Sequence, residues 1–426
     1  MYQVDFTIEE FAQRRRKLAE QINSNAVALI PGGDTVQGFE LFRQYNDFYY
    51  LCGVEAPHCY LLINGKNGDA TLFLPQKSHL PFSADNAAWV KETTGLEGVQ
   101  PLQDILSHLS RYKTIYLPER EGEGLKMSPD TLNDWRNQVM ADPLDVRRGR
   151  MGQIAANLRN RLPFIEIPDL SPIMNELRSV KSLAEITLLR KAGELTGKGA
   201  LAAMKATKPG VFEYHLNAAM QKVYLDGGAR GEGYVPIIPG SNNAGDAHYH
   251  YNNCVLEDGD IVLLDCAPDY HYYTSDIGRM WPANGKFDEF QRALYGFVVE
   301  YHKAVLSLIK PGVMKVDLQE DAANIMQPIF DNWEFVSVEQ RETAKILLTY
   351  DEHISHGVGM CVHDVNLHSR CPFEAGMVFA VDPMAWDSQR CTYFRVEDTV
   401  VVTENGCENL TTSCPIEIDD IEHELA

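Results

Sequence analysis

Ile261-Val-Leu-Leu-Asp-Cys-Ala-Pro-Asp-Tyr-His-Tyr-Tyr-Thr-Ser-Asp-Ile277 is the stretch on which the fold turns. It opens as a buried-strand pattern that ends in a carboxylate, Asp265, and a second carboxylate, Asp276, follows eleven residues later. With a hairpin turn at Tyr270-His271, the two acids lie equally far from the turn. Opposed residues of an antiparallel pair share a face, about 4.5–5.5 Å apart. The same reading fits Val378-Phe-Ala-Val-Asp382 and Phe394-Arg-Val-Glu397. A turn at Gln389-Arg390 sets Asp382 against Glu397.

Each acid pair belongs to a longer repeat. Ser182-x-x-Glu185 is a capping box that starts a helix from Leu183 to about Thr207, stopped by Lys208-Pro-Gly-Val211. A second helix, about Asp288 to Ile309, stops at Lys310-Pro-Gly-Val313. Each stop precedes another helical pattern and then the acidic strand pair. We read the second domain as two related halves packed about a shared site. Before it, Thr7-x-x-Glu10 caps a helix through Ile22. Ala26–Ile30, Phe48–Leu51, Tyr60–Ile63 and Thr71–Leu74 read as strands of an α/β domain, with Asn64–Gly68 as a hairpin turn. Arg, Asn and X-Pro steps in 147–172 place the junction there, giving domains 1–172 and 173–426.

Paired acids on buried strands are costly unless protonated or neutralised by cations. Four carboxylates exceed what one divalent metal needs. With one imidazole they suit two hard-to-borderline cations bridged by oxygen. His356, in Ser355-His-Gly-Val-Gly-Met360, is the candidate imidazole, and His363-Asp364 follows. Taken singly, each residue has an ordinary explanation. Strand-end Asp265 is a turn former, Glu397-Asp398 a surface pair, His248 a loop or core histidine. Only the ordered set carries the metal reading.

The 426 residues contain 38 Lys and Arg against 60 Asp and Glu, a net charge of −22. An acidic surface repels phosphate backbones and anionic lipids, which argues against nucleic-acid or membrane partners. The one basic run, Arg14-Arg-Arg-Lys17, reads as a solvated helix face. No apolar run reaches the roughly 18 residues of a membrane span, and Met1–Lys17 lacks the apolar core of a signal peptide. Nine scattered cysteines without C-x-x-C indicate free thiols in the cytoplasm. Gly231-Glu-Gly233 lacks the strand–turn–helix frame of a dinucleotide site, and neither G-x-S-x-G nor H-E-x-x-H occurs.

The ordered set Asp265, Asp276, His356, Asp382, Glu397 resembles the metal ligands of the pita-bread metallopeptidases. Gly259–Asp265, Asp276-Ile-Gly-Arg279 with Gly285-Lys-Phe287, Glu176–Ser182 with Glu185 and Arg190-Lys-Ala192, and His356–Gly359 with Val362-His-Asp364 are similar to the proline-peptidase branch. Leu41-Phe-Arg-Gln44, Asp47–Leu51 and Gly53 are similar to the aminopeptidase P N-domain. The resemblance covers nearly the whole chain. It implies an α/β N-terminal domain followed by an α+β pita-bread catalytic domain with pseudo-twofold halves. It implies an Xaa-Pro aminopeptidase, cutting between an N-terminal residue and a following proline by attack of a hydroxide bridging two divalent metals. Manganese is the usual metal, with cobalt or zinc as alternatives. Asp265 would hold one metal and His356 the other, with Asp276 and Glu397 touching both. Asp382 would bind metal and move protons. His248 and His363 would contact substrate and the tetrahedral intermediate, and Arg395 and Trp386 would lie at the substrate pocket. The partner is a peptide with proline second, and a homo-oligomer is expected.

Three positions depart from the family pattern. A family glutamate is Asp382 here, shorter by one C–C bond of about 1.5 Å. A histidine four before His356 is Glu352, with His353 one place off, and a tyrosine is Trp386. These departures leave a dipeptide-restricted prolidase, or a pita-bread binding module with impaired catalysis, as the competing functions.

Overall fold

The structure is a computed structural model that describes residues 3–34, 38–78, 81–349, 354–365, 367–387, 390 and 392–426, with residue 242 described by its backbone. Two compact units form, Met1–Arg178 and Ser179–Ala426. Glu352 and His353 lie outside the described residues.

The first unit holds β1 (Val27–Pro31), β2 (Tyr60–Asn64), β3 (Ala70–Leu74), β4 (Gly98–Pro101) and β5 (Ile115–Tyr116), in the order β4-β3-β2-β1-β5. β1, β2 and β3 run antiparallel, while β4 and β5 join the edges in parallel. The Asn64–Gly68 turn links β2 to β3, and Gly68 takes φ +77°. The expected Phe48–Leu51 strand is instead the helix Asn46–Cys52. All seven of its residues are buried, so no period-2 alternation exists to specify a strand, and Gly53 closes it in the left-handed region at φ +65°. The basic run explains its stability. Arg14 and Arg15 do not face solvent. Nη1 of each donates 3.0 Å to the Tyr50 and Leu51 carbonyls, which the helix end leaves unsatisfied. Arg14 also lies over the rings of Phe6 and Tyr50, at 4.4 and 4.2 Å.

The second unit holds β6 (Ile261–Asp265), β7 (Ile277–Pro282), β8 (Ser355–Gly357), β9 (Val378–Val381), β10 (Met384–Asp387), β11 (Thr392–Arg395), β12 (Glu397–Val402) and β13 (Cys407–Asn409). Its main sheet runs β6-β7-β12-β9-β8, with β13 on β12, and β10 pairs β11 separately. The repeat shows in this order. β6 and β7 come from one half, β9 and β12 from the other, and the halves meet where β7 pairs β12. Helices Leu183–Ala206 and Glu289–Leu308 are the repeated long helices. Their Lys-Pro-Gly-Val stops match in detail, because Gly210 and Gly312 take φ +90° and +89°. Only glycine enters that region without a Cβ penalty.

Strand side chains alternate between faces. On the face turned toward the helices, Trp281 donates its indole N–H to Thr207 Oγ1 at the end of the first long helix. Asp398 on the same face pairs with the Arg279 guanidinium, accepts from the Thr411 hydroxyl, and lies 3.4 Å from His302 Nε2 on the second. Trp281, Arg279, Asp398, Thr411 and His302 are all sealed from water. Burial holds the His302 imidazole down to about 4, against the pull of Asp398.

Between pH 4 and the ordinary histidine value near 6.5, the unfolded chain therefore binds a proton that the folded chain refuses. Stability rises with pH across that window, by up to about 1.4 kcal/mol per pH unit from this one group. Denaturant unfolding of wild type and His302→Gln at pH 5, 6 and 7 should give a shallower pH slope in the variant. Parallel slopes would refute the assignment.

Candidate functional site

The face away from the long helices carries the acids. Strand register places them in two adjoining rows. In the first row Asp265 pairs with Gly278, and Gly278 with Glu397. In the second half, both β10–β11 and β9–β12 keep the register that sets Asp382 opposite Glu397. One step along the sheet, on the same face, lie Asp276 on the β7 side and His356 on β8, which pairs with Ala380. The positions between the ligating types are small: Gly278, Ala380 and Thr399. A Cβ on Gly278 would stand 2.9 Å from Glu397 Cβ, 3.1 Å from its Oε2 and 3.2 Å from Arg395 Cδ. The glycine is what allows Asp265 and Glu397 to flank one strand at full extension.

The expected Asp382–Glu397 register is met. The expected Asp265–Asp276 opposition is not: Asp265 faces Gly278, and Asp276 lies diagonally, two residues further along. The hairpin turns one residue later than predicted, at His271-Tyr272, both with positive φ (51° and 75°). Tyr270 and Tyr273 exchange both backbone hydrogen bonds around it, at 2.8 and 3.0 Å. Hairpins favour this doubly left-handed turn because its twist matches the strands. Asp269 Oδ1 accepts the Tyr272 N–H and helps hold the conformation. A shift of one residue at the turn moves the pairing by two, so both acids still share a face.

Asp276, His356 and Glu397 each offer a ligand atom within 4.8 Å of the others'. Tyr234 donates its hydroxyl toward Asp265 Oδ1 (2.6 Å) and Asp276 Oδ1 (2.5 Å). Arg395 draws the remaining acids together. Its Nη1 lies 2.6 Å from Asp265 Oδ2, and its Nη2 lies 3.6 Å from Asp382 Oδ2 and also pairs with Glu397 Oε2. Burial raises the Asp276 carboxyl well above its usual range, and Glu397 and Asp265 push it further. Burial raises Glu397 too, opposed by Arg395. Burial disfavours charge on His356, but hydrogen bonds to Asp276 and Glu397 overcome it and hold that imidazole well above its usual value. A guanidinium drawn among three carboxylates marks a place that demands positive charge. The donor set, hard oxygens and one imidazole, fits divalent metal ions.

His363 stands edge-on to His356, ring centroids 4.5 Å apart. His248 is accessible to solvent, yet the surrounding protein lowers its pKa, with Asp265 opposing and His363 and His250 reinforcing. Trp386, 47% exposed, packs on Tyr393 across β10–β11, centroids 4.6 Å apart. The back of β8 is fastened as well. Lys315 Nζ donates 3.2 Å to the Ser355 carbonyl, and the Ser355 hydroxyl lies 2.9 Å from His368 Nε2, whose ring stacks on Phe379.

Two contributors escape the sequence reading. Thr399, beside Glu397, accepts the Asp276 N–H at 2.7 Å and returns its hydroxyl to the Asp276 carbonyl. Tyr234 sits in the glycine-rich run that matched no nucleotide frame. That run lies along β6, where Ile237 pairs with Asp265 and Glu232 with Pro268. A Cβ at Gly233 would stand 2.4 Å from Thr274 Oγ1, so glycine permits the approach. A Gly-rich segment beside an acid-tipped strand was the available signal.

Residues 187–404 match metallopeptidase family M24, and residues 11–111 match the aminopeptidase P N-terminal domain. The Xaa-Pro aminopeptidase of Escherichia coli (strain K12) is 28% identical over 454 residues, spanning 97% of each chain. Xaa-Pro aminopeptidase 3 of Rattus norvegicus is 29% identical over 404 residues, 89% of this chain and 76% of its own. The solved structure of Escherichia coli aminopeptidase P with the inhibitor Pro-Leu aligns with a TM-score of 0.78 at 26% identity, covering 99% of both chains.

Gly278→Ala should weaken manganese binding by about tenfold or more, read by isothermal titration, because the added methyl must displace Glu397 or Arg395. Unchanged affinity would show that the row has slack.

Proposed function

The chain belongs to metallopeptidase family M24, and on that premise we propose that it is a metallo-aminopeptidase that hydrolyses the bond between an N-terminal residue and a following proline. The observation that carries this reading is the double row of buried acids and one imidazole on a single sheet face. Named relatives with the same two-domain span act before proline, which supports the substrate class.

Asp265, Asp276, His356, Asp382 and Glu397 are the proposed holders of two divalent cations, with manganese the proposed metal. Such cations, when bound, lower the pKa of water and polarise a carbonyl. Arg395 balances the acids that remain in excess. Tyr234 and Thr399 fix Asp265 and Asp276 in orientation, so that few side-chain motions need to be frozen when substrate arrives. His248 and His363 donate hydrogen bonds to the substrate and to the oxygen that gains charge, a kind of contact worth roughly 2.7–4 kcal/mol per donor. Asp382 takes a proton from the attacking water and delivers it to the departing proline nitrogen. That nitrogen is a tertiary amide with no N–H of its own, so a delivered proton is essential for it to leave as an amine. Trp386, exposed and backed by the buried ring of Tyr393, offers an aromatic surface to the substrate.

No described helix is long and apolar enough to cross a membrane, and every described cysteine is a free thiol. A reducing cytoplasm is the proposed location.

An X-Pro-peptide should be cleaved after its first residue with manganese present, and cleavage should stop on chelation and return on re-addition. No turnover with metal demonstrably bound would reject the function. Cleavage of X-Pro alone, with longer peptides untouched, would reassign the enzyme as a dipeptidase. Asp382→Glu should raise kcat if the shortened side chain limits proton transfer. An unchanged kcat at full metal occupancy would mean that the backbone already compensates.

A further inference from the structure

Glu213 is fully buried at the start of helix Glu213–Asp226, and the chemistry assigned above does not use it. Its carboxylate accepts four hydrogen bonds, two on each oxygen. Oε1 receives the Gly240 N–H at 2.9 Å and the Asn243 side-chain amide at 3.1 Å. Oε2 receives the Tyr249 hydroxyl at 2.9 Å and the Cys254 N–H at 3.0 Å. The Glu213 backbone N–H also donates to the Cys254 carbonyl at 3.0 Å. These four donors span one segment, 240–254, at its start, its interior and its end. His248 lies inside that segment, next to Tyr249.

Little else in the segment is regular structure beyond the short turn Ser241–Asn243. The His248 side chain is exposed, and its backbone N–H rests on Asp246 Oδ1 at 3.0 Å. Asn252 adds a second pin, accepting from Ile238 N–H at 2.9 Å and donating to the Pro236 carbonyl at 2.8 Å. An exposed imidazole on a loop keeps one position only if its neighbours are fixed, and the neighbour that is fixed by its side chain is Tyr249. A carboxylate suits this task because it only accepts, and here every donor points at it. The corresponding amide would aim its own N–H groups at two of those donors.

We infer that Glu213 is a positioning residue, whose carboxylate holds the 240–254 loop so that His248 meets the substrate. The inference rests on the role proposed for His248. Tyr249 is the link through which the effect travels.

The test combines turnover, metal binding and amide hydrogen exchange on Glu213→Gln, Tyr249→Phe and His248→Ala, singly and in pairs, in the full chain loaded with manganese. Glu213→Gln should lower kcat/KM for an X-Pro-peptide by about 10- to 100-fold, leave manganese affinity within about twofold, and speed exchange across 240–254 but not in β9 or β12. Tyr249→Phe, which removes one donor and keeps the ring in its packing, should show the same pattern at about 3- to 10-fold. In a His248→Ala background neither change should reduce kcat/KM further, since the group being positioned is gone. Wild-type exchange in Glu213→Gln, or losses that multiply fully with His248→Ala, would overturn the inference. If wild type cleaves no X-Pro-peptide, the proposed function fails. The exchange data then decide alone whether Glu213 anchors the loop.

Discussion

Like charges packed on one face of a buried sheet set the terms for the rest of this unit. Burial makes charge on Asp276 and Glu397 costly, and neighbouring carboxylates add to that cost, Glu397 and Asp265 at Asp276, Asp265 and Asp382 at Glu397. The protein does not relieve this by separating them. It removes the side chains that would intervene, at Gly278 and Ala380, and places positive or hydrogen-bonding groups around the cluster. Arg395 spans Asp265, Asp382 and Glu397, Tyr234 joins Asp265 and Asp276, and His356 reaches Asp276 and Glu397. The arrangement is unfavourable as a source of stability, because a well-packed apolar substitute would cost less. Its value is in drawing cations to one place.

Each half of the second unit supplies part of this face, and the halves have diverged where chemistry requires it. The Lys-Pro-Gly-Val stops remain alike down to the glycine φ. The strand pairs do not. One half contributes two aspartates on a hairpin closed by a tight turn. The other contributes Asp382 and Glu397 on strands that continue into β10 and β11, where the exposed Trp386 packs on the buried Tyr393. The imidazole comes from β8 in the second half alone. A symmetric cage would present the same face to both ends of a substrate, and peptide cleavage needs the two ends to be told apart.

Much of this was legible in the sequence, and the reasons differ by element. Asp382 and Glu397 were placed opposite each other because they lie equally far from a turn at Gln389-Arg390, and the β10–β11 pairing keeps that register. The other hairpin was misplaced by one residue at its turn. His271 and Tyr272 give no hint of positive φ, since Asn or Gly is the ordinary occupant there, and the turn is held by Asp269 and by ring stacking rather than by composition. Phe48–Leu51 looked like a strand because aromatic residues favour strands, whereas its carbonyls are capped by two arginines from a distant helix. The same arginines looked like a charged surface. Local pattern cannot show which carbonyls a guanidinium will reach. Tyr234, Thr399 and Glu213 act through tertiary contacts between segments far apart in the chain, and no spacing rule announces them.

Glu397 and Asp398 are neighbours in the chain, yet they look in opposite directions. One faces the acid cluster, and the other is locked to Arg279, Thr411 and His302 beneath the long helix. A slip of β12 by a single residue would bring either Asp398 into the acid cluster with Thr399 against Arg279, or Glu397 against Arg279 with Val396 in the cluster. Either way one face of the strand loses its carboxylate. Both sides of the strand thus act as a lock with two keyholes, and assembly of the catalytic surface is proofread by a pocket that never meets a peptide.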